Sequence, residues 1–305
     1  MQLQMRTAHI GLCSFRSSTP KPFLSVLSQT IGETRCYNDA HGHPFGLGGN
    51  WYAKAWFSVL SEIREAARHI NPDVAFSGEG GSEVFIPFLH VYHSRDSWAE
   101  VFDDYVHRGT ADVIPLFNYV YHDSLIFIGE HNLALWRPLG GSSYNRLGLS
   151  RILTWGEIPS YNMQESLYDP NVDAELVDYV KKIGCARTTY ARSFLSYSVP
   201  VRPVEITSPL IQVRDEKGSN YNVASLQYNA LMAHDGSIGY LLTNIANTNI
   251  EVGQQIDVTI PTPYNVYLVR DGKLEWTDLS TNRSYTFSLT IKPLEIVLLI
   301  FAPAD

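Results

Sequence analysis

Trp51-Tyr-Ala-Lys-Ala-Trp-Phe-Ser-Val-Leu-Ser-Glu-Ile-Arg-Glu-Ala-Ala-Arg-His-Ile70, followed directly by Asn71-Pro-Asp-Val-Ala-Phe-Ser-Gly-Glu79, decides the fold class. Tyr52, Trp56, Val59, Leu60, Ile63, Ala67 and Ile70 recur at three- and four-residue spacing, while Glu62, Arg64, Glu65 and Arg68 take the other face. That periodicity predicts an amphipathic helix. Asn71-Pro72 stops it, because a residue before proline is pushed out of the helical region. Asp73 to Glu79 then reads as a short buried strand ending in small residues and a carboxylate. Helix, tight turn and buried strand in succession are the grammar of a parallel sheet.

The same grammar extends in both directions. Ser97 to His107 predicts a second helix, with Trp98, Val101, Phe102, Tyr105 and Val106 on one face. Asp112 to Asp123 reads as a strand, although Pro115 sits inside it. Arg151-Ile-Leu-Thr-Trp-Gly-Glu157 reads as another strand ending in glycine and an acid, and Ala174–Ile183 and Arg187–Ser196 read as helices. At Pro200-Val-Arg-Pro203 the pattern changes to short alternating runs: 225–232, 238–245, 256–260, 265–270, 285–291 and 296–301. His234-Asp-Gly-Ser237 and Arg270-Asp-Gly-Lys273 are hairpin turns between such runs. The expected architecture is α/β: a partial (β/α)8 barrel over 36–200, then an all-β sandwich over 201–305, with an irregular segment over 1–35.

Composition narrows the function. Of 305 residues, 45% are hydrophobic and 18% charged, which excludes a disordered chain. The net charge of −8 opposes phosphate-backbone binding, so no nucleic-acid partner is expected. Cys13, Cys36 and Cys185 are too far apart for a zinc ribbon or a disulfide scaffold. No apolar run approaches the roughly 18 residues of a spanning helix, so no membrane partner is expected. Residues 1–35 are basic and serine-rich, like a transit peptide, but lack an amphipathic helix, and no secretory h-region follows. The default compartment is therefore cytoplasmic.

Three predicted strand ends carry acids: Glu79, Asp123 and Glu157. In a (β/α)8 barrel the C-terminal strand ends form the active site, and a carboxylate pair facing one sugar supplies an acid with a base or nucleophile. Single acids in such places also cap helices. Cys36-Tyr-Asn-Asp-Ala-His-Gly-His-Pro44 is the densest polar cluster. On an extended segment Asp39, His41 and His43 share a side, a spacing that suits either a metal ion or the hydroxyls of a polyol, unless the segment is simply a rigid turn. Gly46-Leu-Gly-Gly-Asn50 lacks the Lys-Ser/Thr of a phosphate loop and follows no strand. Ser77-Gly-Glu79 has Glu where a nucleophile elbow needs Ser. No cofactor or resident metal is expected. Trp51, Tyr119, Tyr121 and Trp155 are candidates for stacking on sugar rings, although most aromatics are core.

The succession Cys-Tyr-Asn-x-x-His-Gly-His-Pro (36–44), the helix to Asn71-Pro72, Ser-Gly-Glu-Gly (77–80) and Ile-Pro-Leu-Phe-x-Tyr-Val-Tyr-His-Asp (114–123) resembles a family of microbial glycoside-hydrolase-like proteins. That family joins a (β/α)8 barrel to a β-sandwich and is distantly similar to α-galactosidase and endo-α-N-acetylgalactosaminidase barrels. The resemblance covers residues 36–160 well and the tail loosely. It implies Glu79 as general acid/base, with Glu83 a further site residue, His41 and His43 as sugar-contacting, and His122 and Asp123 as walls of the site. It also implies a nucleophilic Asp on an earlier strand. Thr7–Arg35 stands there instead, and no strand ending in Asp reads in it. The expectation is a carbohydrate-acting hydrolase that is the C-terminal part of a larger protein, inactive alone, whose open sheet edges invite self-association. The alternatives are a non-catalytic carbohydrate-binding protein and a metal-dependent hydrolase using Asp39, His41 and His43.

Overall fold

The computed structural model describes residues 23–25, 37, 40, 51–79, 83–94, 114–130, 141–160, 174–214 and 220–304. Five strands, β1 (Phe23–Ser25), β2 (Ala75–Glu79), β3 (Val91–Ser94), β4 (Ile126–Glu130) and β5 (Ile158–Ser160), form one sheet in chain order. Every neighbouring pair is parallel. Consecutive order with helical crossovers is the arrangement of a βα-repeat sheet, not of a doubly wound one. Helix α1 (Trp51–Ile70) spans the predicted bounds. It buries Leu60 and half-buries Trp56, Arg64 and Ala67, while Val59, Ile63 and Ile70 stay exposed, so its buried stripe is rotated from the one read in the sequence.

Two predicted strands are helices. Pro115 precedes α2 (Leu116–Tyr121), where its missing N–H costs nothing. Phe117 and Tyr121, one turn apart, pack onto the sheet, and Leu116 and Val120 face outward. The strand is the next apolar run, β4. Likewise Arg151–Thr154 is the last turn of α3 (Gly141–Thr154). Gly156, at φ +76°, ends it: its N–H bonds the Leu153 carbonyl and the Glu157 N–H bonds the Ile152 carbonyl. This pairing is a Schellman stop, so Trp-Gly-Glu marks a helix end, with β5 after it. Helices α4 (Ala174–Thr188) and α5 (Arg192–Leu195) follow. The predicted helix 97–107 lies outside the described residues.

The remainder is β-rich. Strands β6 (Val199–Val201), β9 (Leu226–Met232), β10 (Ile238–Asn244), β12 (Tyr264–Arg270), β13 (Lys273–Ser280) and β15 (Ile296–Pro303) form a sheet ordered β13-β12-β15-β10-β9-β6. Strands β11 (Ile250–Asp257) and β14 (Ser284–Ile291) pair separately, as do β7 (Leu210–Arg214) and β8 (Asn220–Ala224). One face of the six-stranded sheet, through Tyr240, Leu242, Val266, Leu268, Leu299 and Phe301, packs on Val252, Ile256, Phe287 and Leu289 of β11 and β14. The other face, through Leu231, Leu241, Ile296 and Leu298, packs on Leu153, Leu176, Tyr179, Ile183 and Phe194 of α3, α4 and α5. The layer is therefore sheet, sheet, helix, not a free-standing sandwich. The Tyr179 hydroxyl pins the helical side, 2.9 Å from both Ser150 Oγ and Thr243 Oγ1.

Candidate active-site edge

In a parallel sheet all strands point one way, so their C-terminal ends share one edge. Glu79 pairs with His93, His93 with Ile128, and Glu130, two residues beyond Ile128, pairs with Ser160. The pleat alternates with a period of two, so these positions lie on one face, together with Ser77, Val91 and Ile126. The other face carries Phe76, Tyr92 and Phe127, packed with Ala67 of α1 and with Phe117 and Tyr121 of α2. Glu79, His93, Glu130 and Ser160 thus occupy the C-terminal edge on the face opposite the helices. Glu79 and Glu130 stand two strands apart, about 10 Å across the sheet, with an offset of about 7 Å along it.

Glu130, His93 and Ser160 were missed in the sequence. The signal was present, because β2 is Ala-Phe-Ser-Gly-Glu and β4 is Ile-Phe-Ile-Gly-Glu. Assigning the strand to 112–123 hid it.

Asp123 and Glu157 do not reach this edge. Asp123 precedes β4 at the N-terminal end of the sheet, whereas Glu157, level with Phe127 in the middle of β4, turns its carboxylate toward Gly129 on the helix-covered face. Asp123 is exposed and accepts a 2.8 Å bond from Ser124 Oγ. Glu157 is 1% exposed and accepts a 3.1 Å bond from Asn118 Nδ2, itself buried. Its Oε2 lies 2.2 Å, and Ile152 Cγ1 2.6 Å, from where a Cβ on Gly129 would stand, so a larger residue at that place in β4 would displace both. Beside it, burial pushes the Arg187 guanidinium down to about 10, opposed by Glu157, and pushes the Tyr119 phenol up to about 12, reinforced by Glu157.

His122 belongs to the same buried layer and not to the wall of the strand-end site. It is 2% exposed, and its Nδ1 is 3.0 Å from the Ser198 carbonyl oxygen. Its ring stacks on Phe127, with 10° between planes. Burial holds its pKa below the ordinary histidine value, against backbone hydrogen bonds to Ser198 and Gly156 that favour the cation. Tyr121 lies on the helix-covered face and hydrogen-bonds Glu83. Desolvation and then that carboxylate raise its pKa. Trp51 opens α1. Asp39, His41 and His43 lie outside the described residues. Among the described residues no group of three His, Cys, Asp or Glu is placed to hold a metal ion, and no helix is long and apolar enough to cross a membrane.

Residues 26–132 match a domain of unknown function, DUF6259. That segment contains Glu79, His93 and Glu130. No curated protein matches the chain. Among solved structures, the chain is similar to an α-amylase from H. orenii (TM-score 0.49, 13% identity), covering 84% of this chain and 58% of that one. It is also similar to a noncanonic maltogenic α-amylase from Thermotoga neapolitana (TM-score 0.48, 12% identity, 80% and 58% covered). A third is a putative α-galactosidase from Bacteroides fragilis (TM-score 0.43, 12% identity, 82% and 52% covered). The chain spans little more than half the length of these proteins, and the activities in their names are theirs.

Proposed function

We propose that the protein is a glycoside-hydrolase-like protein that cleaves a glycosidic bond of an oligo- or polysaccharide by carboxylate acid/base catalysis. Glu79 gives its proton to the glycosidic oxygen, and Glu130 is the facing carboxylate. The observation that supports this reading is the register that sets Glu79 beside His93 and places Glu130, two residues beyond the Ile128 that pairs with His93, at the same C-terminal edge and on the same face, opposite the helices. Asp123, before β4, and Glu157, buried against Asn118 on the helix-covered face, are not part of the proposed pair. The β2 and β4 backbones stand about 10 Å apart, and two carboxylates reaching from such strand ends toward one sugar are what this chemistry uses.

The test is hydrolysis of a panel of aryl glycosides and polysaccharides, with the anomer of the first product read by NMR. Glu79→Gln and Glu130→Gln should each lower turnover roughly a hundred- to ten-thousandfold while leaving the thermal midpoint in place. Wild-type turnover in Glu79→Gln sinks the assignment. Sugar binding with no turnover in the wild type replaces it with the carbohydrate-binding reading.

A further inference from the structure

Helix α1 carries two arginines that form no ion pair among the described residues. Arg64 and Arg68 stand one turn apart on one side of the helix, and with Ser61, Glu65 and Phe88 they line a groove of about 450 Å³. Arg64 is half-buried. One of its terminal nitrogens donates to the Pro87 carbonyl, and its Nε is shielded from water with no hydrogen-bond partner. Among the described residues no carboxylate forms an ion pair with either guanidinium, Glu65 included. The imbalance is felt nearby: burial and then the Arg68 charge lower the Arg64 pKa, and burial followed by both arginines lowers that of His90. The helix C-terminus contributes only about half a negative charge against this.

The floor of the groove is apolar. Phe88 is 8% exposed and meets Phe57 edge-on, with ring centroids 5.0 Å apart. Two like charges, one partly desolvated, beside an aromatic floor form an unusual patch in a chain of net charge −8. An oxyanion with two oxygens to offer, a carboxylate or a tetrahedral sulfate, is the group that guanidinium forks match, and a ring with an apolar face is what the floor would cover.

We propose that this groove binds a saccharide unit bearing an oxyanion, a uronate carboxylate or a sulfate ester, with the anion held by Arg64 and Arg68 and the sugar face laid toward Phe88. The saccharide part rests on the proposed function, whereas the anion part stands on the arginines alone. The groove lies on the helix side of the sheet, so a glycan held there leaves the Glu79 edge free.

The experiment is calorimetric titration of the full chain with an oligogalacturonate, a sulfated oligosaccharide, a neutral oligosaccharide of equal length and inorganic sulfate. The wild type should bind at least one acidic glycan about tenfold or more tighter than the neutral one, and added salt should weaken it. Which acidic glycan wins distinguishes carboxylate from sulfate. R68Q, at an exposed position, should weaken binding to a similar extent, and K273Q, on the exposed edge strand β13, should leave it unchanged. Equal affinity for the neutral glycan, no binding of either acidic one, or unaltered binding in R68Q overturns the site. Inorganic sulfate binding as tightly as the acidic glycans overturns the saccharide part. Binding is read without turnover, so a protein that binds acidic glycan and hydrolyses nothing defeats the catalytic reading and leaves this one standing.

Discussion

The two faces of the parallel sheet hold similar residues under different conditions. On the face opposite the helices, the register sets the positions of Glu79, His93, Glu130 and Ser160 at the C-terminal strand ends of β2 to β5. On the helix-covered face Asn118 of α2, His122, Glu157 and Arg187 of α4 are engaged with one another and with backbone. A buried carboxylate that accepts from Asn118 and opposes a partly buried guanidinium is committed to holding the sheet in place. The proposed function gives the strand-end carboxylates the other duty, so the face on which an acid stands, more than its residue type, is what the two assignments contrast.

The contrast breaks most sharply at Gly156. It adopts φ +76°, and a Cβ there would stand 2.1 Å from His122 Nε2. Gly156→Ala combines backbone strain with displacement of a buried ring, and should cost about 3 kcal/mol, read from chemical denaturation. Gly184→Ala is the control: inside α4 with nothing near its Cβ position, it should be neutral or stabilising by about 0.5–1 kcal/mol. Equal stabilities for the two variants would mean that the layer around His122 is not tightly built.

A smaller effect is expected at Glu157. Glu157→Gln keeps an acceptor for Asn118 but removes the charge that opposes Arg187. Its cost should be about 2 kcal/mol of stability, with turnover per folded molecule unchanged. Glu79→Gln should do the reverse. A Glu157→Gln protein that stays fully stable while losing its hydrolysis would interchange the duties of the two faces.

What the sequence disclosed depended on whether a segment had one dominant physical cause. The amphipathic run of α1 and the Pro72 stop were enough to place α1 and β2, and the Asp-Gly pairs placed the hairpins after β9 and β12, where Asp271 and Gly272 both take positive φ. Residues 112–123 misled because an apolar run around Pro115 fits either period, and packing of Phe117 and Tyr121 on the sheet selects the helix. Trp155-Gly-Glu157 misled because a Schellman stop and a strand end use the same residues. Strand β13 went unread because, as a sheet edge with Lys273, Glu275 and Asp278, it has little apolar alternation. β10 and β15 are apolar at nearly every position because helices cover one face and β11–β14 the other. Of the candidate site, Glu79 was legible from its own strand, whereas His93 and Glu130 required the register between strands.

The finest difference between the two faces is their response to acid. His122 faces Arg187 from α4 and Asp123 from its own turn, and bonds to Ser198 and Gly156. Burial is the largest influence and favours the neutral ring, so the folded pKa lies below that of the unfolded chain, near 6.5. As the pH falls through about 6.5 the unfolded chain takes up the proton first, and stability is lost until the folded pKa is passed. Above that window His122 adds no pH dependence. One proton sets a ceiling of about 1.4 kcal/mol per pH unit on the slope. Denaturation of wild type and His122→Asn at pH about 7.5 and about 5.5 isolates this contribution: the wild type should lose more stability on acidification than the variant, with the carboxylates common to both cancelling. Parallel losses would mean that His122 is protonated equally in both states, and that the layer beneath the sheet is wetter than its burial implies.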